Sequence, residues 1–184
     1  MEKIIDLSWI MSSGKLFLAK NWPPLGWREM TETDWANWRH EWGEQTGYQW
    51  QFKGHLQKIL LNQIPYKIFD VLANETGFLV FPEVYWSAEA KILNGDLSER
   101  CVMKPIFNVR GFTPERLEVV KAANVKERGE WIPIPHFKQQ VRANRTRTDG
   151  IVEIEGNDGI ADCMYLFDET TGVLVGAEPY AWAD

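Results

Sequence analysis

Only two cysteines, Cys101 and Cys163, and three histidines, His40, His55 and His136, occur in the 184 residues. The cysteines stand far apart without Cys-x-x-Cys spacing, which argues against a disulfide framework and points to reduced thiols filling core space. The histidines show no His-x-x-x-His or Glu-x-x-His spacing. Asp158 and Asp162 lack the regular ligand ladder of a calcium loop, so no metal and no cofactor is expected. There is no Gly-x-Ser-x-Gly elbow, P-loop or dinucleotide fingerprint, which lowers the case for catalysis without closing it. No apolar run reaches the ~18 residues of a membrane span, and Met1–Asp6 holds no basic stretch leading into an apolar one. The expected location is therefore cytoplasmic, with no membrane contact.

Basic residues are the minority: 20 against 26 acidic, a formal net charge of −6. Nucleic acid binding rests on Lys and Arg neutralising phosphates, so a nucleic acid partner is not expected. An acidic balance suits solubility and equally suits capture of a basic protein, because complementary fields steer encounter. The 45% hydrophobic and 25% charged content is that of a folded globular chain. Its length is that of one large domain, able to bury a sizeable core, and residues 1–184 are read as a single globular domain. Ten tryptophans set it apart.

Along the chain, residues 3–10 and 14–20 read as an opening β-hairpin. Trp22 to Trp27 encloses Pro23-Pro24, a stiff extended loop. Thr31 to about Gln45 reads as a helix, with Thr31 or Thr33 as cap and Trp35, Trp38 and Trp42 on one face. Tyr48–Phe52 alternates as a half-buried strand. Residues 55–63 and 65–72 carry helical spacing with a strand alternative, 77–84 and 100–109 read as strands, and Ser87 to Asn94 as a short helix closed by Gly95. Thr113-Pro114 opens a helix running to about Val125. Strands at 151–155, 160–168 and 173–177, separated by Gly-rich and Asp-rich turns, form a three-stranded meander. The fold class expected is α+β, a mostly antiparallel sheet packed with several helices, its seam near 129–149.

Two surfaces compete for a function. Along Ile151–Glu155 the acids alternate with Ile and Val, so Glu153 and Glu155 share one face, and with Asp158 they would make a solvent-facing acidic surface. Such a surface suits a basic partner, with carboxylates standing in for phosphates. The Trp22–Trp27 loop is a second contact candidate, because a Pro-Pro segment is ordered before it docks. Small, acidic, cytosolic and α+β is also the profile of an immunity-type inhibitor of a basic bacterial toxin, and a protein-binding module of that kind is the function expected. The alternative is an enzyme acting on nucleic acid or nucleotide. It would use the one local concentration of positive charge, with His136 as acid/base and Arg142 and Arg145 stabilising phosphate.

Overall fold

The computed structural model describes residues 2–21, 24, 28–66, 68–83, 86–128, 134–138 and 145–179. These are mostly antiparallel sheet with two α-helices, an α+β composition with fewer helices than the several expected. The chain divides into two compact units, Met1–Pro65 and Tyr66–Asp184. The stretch 129–149, where the sequence changes character, lies inside the second unit. No helix among the described residues is long and apolar enough to cross a membrane.

The first unit holds β1 (Ile5–Met11), β2 (Leu16–Leu18), α1 (Glu32–Trp42), β3 (Gln45–Phe52) and β4 (His55–Leu60), in sheet order β2-β1-β3-β4. Helix α1 begins where its cap chemistry is complete. The Thr31 hydroxyl accepts from Asp34 N at 3.2 Å, and the Thr31 N–H donates back to Asp34 Oδ2 at 2.9 Å. Gly43, at φ 78°, ends it, so Gly47 is free to enter β3. The three indoles on the face of α1 are half-buried. Phe17 of β2 takes two of them edge-on, with centroids 5.7 Å from Trp38 and 5.1 Å from Trp42. Of the two alternatives left open for 55–63, the strand holds over His55–Leu60. Lys53 (φ 52°) and Gly54 (φ 73°) both occupy the left-handed region, which is the two-residue hairpin turn, and it folds β4 back on β3.

The second unit contains β5 (Ile68–Val71), β6 (Gly77–Phe81), β7 (Trp86–Ser87), β8 (Ala90–Asn94), β9 (Glu99–Met103), α2 (Pro114–Arg128), β10 (His136–Lys138), β11 (Arg145–Thr146), β12 (Ile151–Asn157), β13 (Asp162–Asp168) and β14 (Leu174–Pro179). One sheet runs β5-β6-β8-β9. The other runs β14-β13-β12-β10-β7, with β11 also paired to β12. At 65–72 the strand alternative holds over Ile68–Val71, and in place of the helix expected at 87–94 stand Ser87, the end of β7, and β8. Ala90, Ile92 and Leu93 are all buried, and a short apolar run buried on both faces has no periodicity to tell strand from helix.

Both sheets feed one core. Leu79, Phe81, Ala90, Ile92, Cys101 and Met103 of the first meet Phe137, Val152, Ile154, Cys163, Tyr165 and Phe167 of the second. Phe137 sits at its centre, with ring centroids 5.5 Å from Tyr165, 5.8 Å from Phe167 and 6.5 Å from Phe81. Helix α2 starts at Pro114 after Thr113, whose hydroxyl accepts from Arg116 N at 3.4 Å.

Candidate protein-binding site

Side chains alternate across a strand, so filling the core with one set fixes what the other face carries. With Val152 and Ile154 inward, Glu153, Glu155 and Asn157 of β12 point to the opposite face. With Cys163 and Tyr165 inward, Asp162 and Met164 do the same from β13. Phe137 opposite Gly156 sends His136 and Lys138 to that outer face, and Trp86, paired with Lys138, joins them. Of the acidic and basic candidates of the sequence, Glu153, Glu155 and His136 thus share one face of one sheet.

Several charges on and beside that face are paired. Lys138 Nζ forms an ion pair with Asp162 Oδ2, and Asn157 Nδ2 donates to Asp162 Oδ1 at 2.7 Å. Burial works to raise the Asp162 carboxyl, but the hydrogen bonds from Lys138 and Asn157 and the Lys138 charge outweigh it, so Asp162 titrates below its ordinary value. Arg147 bridges Asp149 at 2.6 Å and Glu153 at 3.4 Å. The Trp86 and His136 rings stack with centroids 4.5 Å apart and planes 14° apart. His136 Nδ1 lies 3.1 Å from Ile134 O. Trp86 nevertheless remains 62% exposed and Ile134 64%.

Glu155 does not form a solvent-facing pair with Glu153: it is fully buried. Alternation correctly puts the two on one face, but alternation carries no information on whether that face is covered. Asp158 is also buried, and its role is to organise backbone. Its Oδ1 accepts from Ile160 N at 3.0 Å and Ala161 N at 2.9 Å, its Oδ2 from Arg110 N at 3.4 Å, and its carbonyl from Asn108 N at 2.9 Å. Asp158 thereby ties the β12–β13 turn to the loop between β9 and α2. Tyr165 strengthens the tie by donating its hydroxyl to Ile106 O at 3.1 Å.

Trp22, Trp27 and Arg142 lie outside the described residues. Arg145 is placed by its backbone only, opposite Glu153. Among the described residues no group of three His, Cys, Asp or Glu side chains could hold a metal ion. Both cysteines are buried free thiols, and burial pushes Cys163 up to about 12. Sequence reasoning missed Trp86, Ile134 and Arg110 as site residues. The strand expected at 100–109 ends at Met103, and in the loop that follows Asn108 (φ 51°) and Gly111 (φ 69°) both occupy the left-handed region.

These features define an antiparallel-sheet protein whose second unit exposes Trp86 and Ile134 beside a set of hydrogen bonds and ion pairs. No protein-family model matches the chain, and no curated protein matches it. Its fold is similar to that of a chain in the solved structure of Tne2 in complex with Tni2, at a TM-score of 0.52 and 13% identity. The match covers 97% of this chain and 99% of that one.

Proposed function

We propose that this chain is a protein-binding module of the immunity type, an inhibitor that captures a basic toxin, and that the outer face around Trp86 is its contact surface. The observation that carries the reading is the exposure of Trp86 and Ile134 beside the stacked His136 and the Lys138–Asp162 pair. Large apolar side chains clustered in the open, with a polar surround, mark interaction sites on otherwise polar surfaces. An indole already held by a stacked neighbour loses little freedom on docking and is a preferred hot-spot residue. The net charge of −6 favours a basic partner through steering. The similar fold occurs in a chain seen with a protein partner, which supports a protein partner in general.

The test is titration calorimetry of this chain with the protein encoded by the neighbouring gene. Trp86→Ala is expected to weaken the complex about 10-fold or more, and Glu153→Lys to slow association. Wild-type chain that forms no complex with that protein, and instead cleaves RNA or a nucleotide in a manner abolished by His136→Ala, would replace this reading with the enzymatic one.

A further inference from the structure

The loop between β9 and α2 exposes two adjacent large apolar residues, Ile106 at 45% and Phe107 at 43%. An ordinary exposed loop would present them on a mobile backbone. This one is fixed from several directions. Asn108 N donates to Asp158 O at 2.9 Å, Arg110 N to Asp158 Oδ2 at 3.4 Å, and Tyr165 Oη to Ile106 O at 3.1 Å. Within the loop, the Asn108 side chain accepts from Phe112 N at 2.8 Å and donates to Phe112 O at 3.1 Å, and Gly111 N donates to Asn108 O at 2.9 Å. The Arg110 guanidinium lies over the Phe112 ring at 4.9 Å and reaches Asp162 O at 3.4 Å. The result is a tip fixed from several sides and tied to Asp162, the ion-pair partner of Lys138.

Its charge runs against that of the molecule. From residue 104 to residue 114 there are two cations, Lys104 and Arg110, and no acid, on a chain with a net charge of −6. We propose that this loop is a preformed plug that seats Ile106 and Phe107 in an apolar cleft of the partner protein, with a carboxylate at the cleft mouth facing Lys104. Asp158 is its positioning residue. The inference rests on the protein-binding reading and adds where the partner is engaged and what its surface carries. Preorganisation is the physical reason. The backbone entropy that a free loop would lose on docking is already lost in folding, so apolar burial converts more fully into affinity. Lys104 favours a cleft with a single carboxylate at its mouth over a purely apolar one, on a partner that is basic overall.

The experiment is calorimetry of the full chain with the product of the neighbouring gene, comparing wild type, the double variant Ile106→Ser/Phe107→Ser, Lys104→Glu, and Val173→Ser/Val175→Ser as a more exposed apolar control on the β14 side. The loop variant should lose about 30-fold in affinity or more, Lys104→Glu about 5-fold, and the control less than about 2-fold, with circular dichroism unchanged for all. A loop variant that binds within about 2-fold of wild type overturns this inference alone. Wild type that forms no complex overturns the protein-binding reading and this inference with it. Wild type that self-associates through the loop, with the double variant monomeric, overturns the assignment in favour of a second copy of the chain.

Discussion

Asp158→Ala removes one buried side chain and strands three backbone N–H groups at once. Ile160 N and Ala161 N, at 3.0 and 2.9 Å, lose well-formed bonds to a carboxylate, while the 3.4 Å bond from Arg110 N is the weakest of the three. Hydrogen bonds to a charged acceptor contribute about 1.5 kcal/mol or more each, and a weak third adds about 0.5. Ile160 and Ala161 are only half-buried, so water recovers part of the loss. The net cost should be about 2–3 kcal/mol, a large share of the ~5–15 kcal/mol that holds a typical domain together. Urea unfolding followed by far-ultraviolet circular dichroism measures it. Hydrogen exchange at Asn108, Arg110, Ile160 and Ala161 locates it, because these amides should lose protection before those of β12 and β13. Asp158→Asn keeps one acceptor oxygen for the Ile160 and Ala161 amides and should cost about 1 kcal/mol. A loss below about 1 kcal/mol for the alanine variant, with amide protection intact, would refute the role of Asp158 as the tie between loop and turn.

Two further outcomes follow from packing and charge. The Asp162 carboxyl is depressed in the folded state, so its contribution to stability is present above the ordinary carboxylate value near ~3.9 and is lost as pH falls through the folded value. Lys138→Met should therefore lower the melting temperature at pH 6 more than at pH 3, and equal losses at both would count against the ion pair. A Cβ on Gly156 would sit 2.6 Å from His136 O and 2.7 Å from Tyr165 Cε2, one of them backbone and the other a buried ring, so Gly156→Ala should destabilise by about 2–3 kcal/mol in urea. Gly176→Ala, whose nearest neighbour is Leu166 Cδ1 at 3.4 Å, should cost less than about 1 kcal/mol, and similar costs at both positions would contradict the packing described at β10.

What could be read from the sequence was chemistry local to a few residues. Thr31 with Asp34 and Thr113 with Pro114 each satisfy helix-end donors from within one turn, and α1 and α2 begin where those residues stand. The strands expected at 151–155, 160–168 and 173–177 overlap β12, β13 and β14, with bounds that differ by one or two residues at most ends. Periodicity decides least where the outcome depends on a partner strand. His55–Leu60 has a helical spacing of leucine and isoleucine, but the preceding Lys53-Gly54 turn lays it against β3, and the ladder prevails over the periodicity. Ala90–Asn94 becomes a strand because β6 and β9 flank it on both sides.

The site was legible residue by residue and illegible as an arrangement. Glu153, Glu155 and His136 all stood out in the sequence, assigned to rival functions. The register that puts His136 opposite Asn157, and Lys138 opposite Trp86 some fifty positions away in the chain, is what makes them neighbours. Once they are neighbours the rivalry loses its basis. Lys138 is committed to Asp162, and Arg147 to Asp149 and Glu153, so neither a bare acidic surface nor a bare basic one results. Charges matched within one surface add little net field, and recognition at such a surface must draw on shape and apolar contact. Under the proposed reading that shifts weight from the carboxylates, where the sequence placed it, to Trp86, stacked on His136, and to Ile106 and Phe107, held by the hydrogen bonds of their loop.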